Sequence, residues 1–273
     1  MTAPKTILTT GANSGIGLVT AIALAKAGFH SVGSVRSKAK AQQVAAAAKK
    51  AGANVDTVLL EVTDAKACER VIDQLRPDGI VNNAGFGSIG AVEDVDDDEA
   101  RATLETMVIA PMRLARLALP HMRKRGHGRI VNISSIYGFT TTPLSGWYQA
   151  AKHALEGVSD ALRTEVISAG IHVILVQPGG FKTNIWEENE RALATRKRSR
   201  YTTAYRRSLS SLKLAEVLMG APEAVAHVVT RALTARRPQA RYLVGYDAQL
   251  LALAQPLVPT AVRDLISRWT LGL

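Results

Sequence analysis

The stretch Lys5-Thr6-Ile7-Leu8-Thr9-Thr10-Gly11-Ala12-Asn13-Ser14-Gly15-Ile16-Gly17 decides the fold. Lys5–Thr10 reads as a short buried strand, rich in β-branched residues. An apolar-periodic helix follows from Leu18 to Ala27. Between them lie three glycines in seven residues, spaced Gly-x-x-x-Gly-x-Gly. Glycines at a strand-to-helix turn let the backbone approach a pyrophosphate, whose charge meets the free N–H groups at the helix N-terminus. A tight turn with no ligand explains one glycine more readily than three. Gly11, Ser14, Gly15, Ile16 and Gly17 are therefore candidate phosphate-binding residues.

The pattern repeats downstream. His30–Val35 reads as a strand, Ser37–Gly52 as an alanine-rich helix, Asn54–Leu60 as a strand, Asp64–Leu75 as a helix, and Gly79–Asn82 as a short strand. This alternation predicts a single-domain Rossmann-type α/β fold, a doubly wound parallel sheet of about seven strands with helices on both faces. Ligands should lie beyond the carboxyl ends of the strands. Arg36, Asn83 and Gly85 occupy that edge. The segment Ser34-Val35-Arg36-Ser37 has an arginine and no acid where an acid would grip the ribose of NAD, so NADP(H) is favoured over NAD(H). Asp96–Arg125 reads as one long helix, acidic at its start and basic at its end, kinked or broken at Pro111. Gly128–Ser134 is a strand delivering Ser134 and Ser135, Trp147–Ala169 a helix and Ile171–Gln177 a strand. Residues 184–221 break the alternation and are expected as a lid excursion, and 248–273 as an apolar C-terminal tail interrupted by Pro256 and Pro259. The chain, residues 1–273, is read as one domain.

Length and composition suit one large soluble core: 273 residues, 47% hydrophobic and 21% charged. Cys68 is the single cysteine, so no disulfide forms within the chain. Met1-Thr2-Ala3-Pro4-Lys5 runs straight into a strand, so no secretory leader is expected, and no apolar run is long enough to span a bilayer. A cytoplasmic location follows as the expectation. No His/Cys/Asp cluster has metal-ligand spacing, and no metal is expected. The net charge is +11, and residues 191–213 hold eight Arg or Lys and no acid. A solvated helical face is the favoured reading of that stretch. An anionic ligand group, an acidic lipid surface and a nucleic acid are the sharper readings; no aromatic-interleaved motif supports the last.

Tyr148 and Lys152 are four residues apart, on one face of a helix, and Ser135 lies thirteen residues before Tyr148. A neighbouring ammonium favours a phenolate, so the pair could give and take a proton near neutral pH. Thr10–Gly17, Asn82-Asn83-Ala84-Gly85, Ser135, Tyr148-x-x-x-Lys152 and Pro178-Gly179 together resemble the short-chain dehydrogenase/reductase family. Arg241–Ala248 looks like the last strand and turn of its hydroxysteroid and retinol dehydrogenase-like members. The resemblance implies Tyr148 as general acid/base, Lys152 as its tuner and ribose ligand, and Ser135 as the group holding the substrate oxygen. It implies Glu61 and Val62 near adenine, Asn83, Ala84 and Gly85 along the adenosine, and Pro178, Gly179, Phe181 and Thr183 near the carboxamide.

One departure stands out. Many members carry an asparagine in the long fifth helix, which supports water to the lysine; Met107 occupies that position, and a thioether is a weak acceptor. The expected activity is NADP(H)-dependent interconversion of a secondary alcohol and a ketone on a mainly apolar, ring-sized substrate. Phe86, Tyr137, Phe139, Leu144, Trp147, Ile185 and Trp186 are expected around it. Two alternatives remain: a catalytically weak NADP-binding sensor or scaffold, and a peripheral membrane lipid or retinoid-type dehydrogenase docked by the basic stretch and tail. The second is not favoured, because Arg263, Asp264 and Arg268 interrupt the tail. The resemblance also implies a homodimer or homotetramer paired through residues 96–125 and 147–169.

Overall fold

Seven parallel strands in the order β3-β2-β1-β4-β5-β6-β7 form the centre of the molecule. The computed structural model describes residues 4–183, 189–193, 196, 199–216 and 219–273, with the side chains of 212–215 outside that description. The strands are β1 Thr6–Thr9, β2 His30–Val35, β3 Asp56–Leu59, β4 Gly79–Asn82, β5 Gly128–Ile133, β6 Ile171–Pro178 and β7 Arg241–Val244. The helices are α1 Gly15–Lys26, α2 Lys38–Lys50, α3 Ala65–Leu75, α4 Asp97–Leu104, α5 Ala110–Arg125, α6 Gly146–Val166, α7 Thr202–Glu216, α8 Glu223–Thr234, α9 Tyr246–Ala254 and α10 Thr260–Leu271. The winding reverses at β1, whose neighbours are β2 and β4; this is the switch point where a doubly wound sheet opens its ligand crevice.

Alternation along the strands explains the layers. Leu8, Val32, Ile80, Ile130 and Val173 point to one face, against Val71 and Ile72 of α3 and Leu114 and Met122 of α5. Their neighbours Ile7, Val81, Val131 and Ile174 point to the other, against Leu24 of α1 and Val225 and Val229 of α8. Central strands covered on both faces are mostly apolar, and the polar residues they keep, such as Ser31, Asn82 and Asn132, are buried with hydrogen-bond partners. Helix ends follow local chemistry. The Asp64 and Asp96 carboxylates cap α3 and α4 by accepting from the Ala67 and Glu99 N–H groups. Gly126 ends α5 at a left-handed φ of 70°.

The helical stretch expected over Asp96–Arg125, with a kink or break at Pro111, is present as α4 and α5 joined by a π-turn, Glu105–Ile109. Pro111 explains the break. It has no N–H to give, and its ring would strike the carbonyl one turn back; an extra residue in the turn relieves both. The expected apolar tail is likewise two short helices, α9 and α10, separated at Pro256 and Pro259. Cys68 is fully buried on α3 and donates its thiol hydrogen to the Val62 carbonyl at 3.3 Å.

Candidate active site

The carboxyl ends of β1 and β4 are knotted together first. The Thr10 hydroxyl accepts from the Asn83 and Ala84 N–H groups, each at 2.9 Å. The Asn83 side-chain amide donates to the Thr10 carbonyl at 2.9 Å and the Gly11 carbonyl at 3.3 Å. Gly11 and Gly15 have φ of 65° and 52°, a conformation that favours glycine. Gly17 is required for a different reason: a Cβ there would overlap the Gly11 carbonyl and the Asn83 amide. It packs helix against loop and is not among the residues that line the cavity. Ser14 caps α1 without a side-chain hydrogen bond to the first turn, so those N–H groups face the crevice unsatisfied by a cap.

A cavity of about 860 Å³ runs along this edge. At one end, Arg36 and Lys40 line it together with Glu61, Val62 and Thr63. Arg36 lies 3.9 Å from the Glu61 carboxylate, both largely exposed. Lys40 escaped the sequence reading because it looked like the polar face of α2; its signal was its place in the first turn, just after Arg36. Asn83, Ala84, Gly85 and Met107 line the middle. Met107 is buried inside the π-turn, with its thioether methyl packed near Gly85. Pro178, Gly179, Phe181 and Thr183 come from the end of β6, and Thr183 faces Gly15 across the cleft. Asp247 was missed altogether. Its carboxylate accepts from the Gly180 N–H at 2.6 Å and fills the space where a Gly179 side chain would stand. Phe181 also packs into the core with Tyr242 and Val244.

The other end holds Ser135, Tyr148 and Lys152. β5 delivers Ser135, whose hydroxyl accepts from the Tyr137 N–H at 3.2 Å, and α6 delivers the other two. The Tyr137 and Tyr148 rings meet edge to face, 6.1 Å apart. Burial pushes the Tyr148 hydroxyl up to about 12, against a hydrogen bond with Ser135 that pulls it down. Burial pushes Lys152 down to about 8, against the nearby Glu156 carboxylate that pulls it up. The Lys152 ammonium donates to the Ile133 carbonyl at 2.9 Å and sits 5.5 Å from the Tyr148 ring centre. A tyrosine lowered towards neutrality was expected. In this geometry desolvation dominates both groups, and the ammonium is committed to a backbone carbonyl.

The expected substrate pocket is partly redrawn. Phe86 and Tyr137 line the cavity. Leu144 does not; it turns at φ 69° into a small core with Ile89, Ala91, Leu193 and Tyr205. Trp147 and Phe139 are also absent from the lining among the described residues. Ile185 and Trp186 lie outside the described residues. The wall is instead completed by Asn189, by Ser208 and Ser211 of α7, and by Ser267, Thr270 and Leu271 of α10. Arg196, read as part of a solvated face, is mostly buried. It forks onto Glu99 at 2.7 and 2.8 Å and donates to the Ile89 and Asp94 carbonyls. Tyr205 and Ser199 donate to the Asp94 carboxylate, each at 2.5 Å. These bonds clasp the excursion to the loop before α4.

The crevice fits a dinucleotide. It has left-handed glycines, an uncapped helix N-terminus and a volume within the range of about 300–1,000 Å³ usual for ligand pockets. Comparison with known proteins agrees. The sequence model of the family described as short chain dehydrogenase matches residues 5–194. The 3-ketodihydrosphingosine reductase of Bacteroides thetaiotaomicron is 33% identical, over 91% of this chain and 90% of that one. The NADPH-dependent 3-dehydrocapnine reductase of Ornithobacterium rhinotracheale is 29% identical, over 94% of each. A short-chain dehydrogenase from Streptomyces avermitilis superposes with a TM-score of 0.79 at 30% identity, covering 98% of this chain and 96% of its own.

Proposed function

Since the chain belongs to the short-chain dehydrogenase family, we propose that it is an NADP(H)-dependent oxidoreductase interconverting a ketone and a secondary alcohol on a mainly apolar substrate, with Tyr148 as general acid/base. The observation that carries this reading is the meeting of Ser135, Tyr148 and Lys152 at one end of a cavity whose other end is lined by Arg36 and Lys40. Two cations at the end of β2 and the start of α2 suit a 2′-phosphate, and the relative named as NADPH-dependent supports the same choice. Both relatives are named as reductases, which supports ketone reduction as the direction.

The glycine loop and α1 N-terminus would hold the pyrophosphate, and Thr183 and Gly179 would lie toward the nicotinamide. A nicotinamide bound there would supply a hydride to the carbonyl carbon. As that bond forms, the carbonyl π pair moves onto oxygen. Ser135 holds this oxygen by hydrogen bonding, and Tyr148 gives it a proton. A hydroxyl pushed up to about 12 is fully protonated at neutral pH, so the resting site is poised as a donor for reduction. The Lys152 ammonium offsets the negative charge left on the Tyr148 oxygen. General acid help of this kind contributes roughly 10²–10⁴-fold, with the remainder from placement in a walled cavity.

Steady-state reduction of a ketone panel with NADPH and with NADH tests the reading. Tyr148→Phe should lower the rate by at least about 10²-fold while leaving NADPH binding, read by fluorescence, intact. Arg36→Ala with Lys40→Ala should raise KM for NADPH by at least about 10-fold and leave KM for NADH unchanged, because even one hydrogen bond to a charged group contributes about 1.5–3 kcal/mol. A near wild-type rate for the tyrosine variant sinks the mechanism. Equal effects on both nucleotides sink the cofactor assignment.

A further inference from the structure

We infer that the outward faces of α9 and α10 dock this protein on an anionic lipid surface, with α10 serving both as part of the docked face and as a wall of the catalytic cavity. The starting point is where apolar surface is left uncovered. Nine of the thirteen exposed large apolar side chains among the described residues fall between Tyr246 and Leu273. Their spacing is helical. Tyr246, Leu250, Leu253 and Leu257 form one stripe on and just beyond α9, exposed by 70 to 91%. Val262, Leu265, Ile266 and Trp269 form another on α10, exposed by 44 to 81%. A soluble helix normally turns such a stripe inward. Here α10 turns Ser267, Thr270 and Leu271 toward the cavity and leaves its most apolar face outside.

Charge around the stripes selects the occupant. α10 carries Arg263 and Arg268 against a single acid, Asp264. α7 packs against α10 and adds the exposed Arg206 and Arg207, with the Arg207 guanidinium beside Gly272. Arg200 lies with Gly272 and Leu273 around a second, small cavity. On α9 the one acid, Asp247, is occupied by the Gly180 N–H. An apolar helical face rimmed by arginines matches the headgroup and acyl boundary of an acidic bilayer. A second copy of the chain would bring the same arginines against each other, which opposes self-association through this face. No helix among the described residues is long and apolar enough to cross a membrane, so the contact is peripheral.

The inference goes beyond the redox reading and does not depend on it. A protein that binds vesicles yet reduces no ketone would end that reading and leave this one standing. Flotation of the full chain with phosphatidylcholine vesicles, with and without phosphatidylglycerol, tests it. Wild type should float with the anionic vesicles and be released at about 0.5 M salt, where screening falls to a few ångströms. Leu265→Glu with Trp269→Glu should cut the bound fraction by at least about tenfold while reduction of a water-soluble ketone is unchanged. Leu250→Glu with Leu253→Glu on α9 gives an independent second variant, should the first fail to fold. Failure to float on anionic vesicles, or undiminished flotation of folded variants, overturns the inference. So does a dimer seen by sedimentation that these substitutions abolish, since the face would then be a contact between copies.

Discussion

Lys152 carries its charge in a buried place, where the Glu156 carboxylate favours it. One turn along α6, the Glu156 carboxylate is 6% exposed, accepts from the Gln177 amide at 3.0 Å and pairs with Arg241 at 2.9 Å. Burial drives Lys152 down to about 8 and Glu156 opposes it. The sign of the effect on activity follows. On the proposed mechanism, the free enzyme loses above about pH 8 the Lys152 charge that would stabilise the deprotonated tyrosine, so kcat/KM for NADPH, which reports the free enzyme, should fall on the alkaline side. Glu156→Gln removes the raising influence, so that alkaline limb should move to lower pH while the rate at acidic pH is nearly kept. A limb that stays in place across a full pH profile would show that Glu156 is only structural. The proposed trio of Ser135, Tyr148 and Lys152 could be picked out because its residue types and spacing carry the chemistry. Glu156 could not, because a carboxylate one turn along a helix reads as surface until the fold buries it.

Elements behaved as their local chemistry dictated, with two exceptions. The strands and caps could be read from β-branched runs, acidic N-caps and glycine stops. The π-turn at Glu105–Ile109 could not, since one extra residue leaves composition and apolar content unchanged; only Pro111 hinted at it. Leu144 and Trp147 were misplaced for a related reason. Proximity to Tyr148 in sequence says nothing about direction, and the left-handed turn at Leu144 sends its side chain into a separate core. The start of α1 allows a sharp test. Gly→Ala inside a helix ordinarily gains about 0.5–1 kcal/mol. At Gly17 the added methyl meets the Gly11 carbonyl and Asn83 amide, both fixed by hydrogen bonds. Overpacking costs about 1–3 kcal/mol and should win. Gly17→Ala should therefore lower Tm by several degrees in a thermal melt and raise KM for the nucleotide; a higher Tm would refute the packing assignment.

At the scale of the molecule, the doubly wound sheet was readable because alternation is repeated and each repeat reinforces the last. The cavity's far wall was not, because it is assembled from segments distant in sequence. Arg196 reaches back 97 residues to Glu99, and Asp247 reaches 67 to Gly180. Charge density in residues 191–213 suggested a uniform solvated face, whereas Arg196 is spent on a buried clasp and Arg207 stands exposed. The apolar tail lines the cavity with one face of α10 and leaves the other uncovered.

The lone thiol gives this architecture a chemical clock. Cys68 is fully buried behind Val62, the residue that walls the cavity near Arg36, and burial raises its pKa. In the closed molecule it is buried and its pKa is raised, so a thiol reagent can react only when the packing around it opens. With no other cysteine in the chain, the labelling rate reads the frequency of that single opening. A nucleotide bridging Val62 and the glycine loop should slow the clock in proportion to its occupancy.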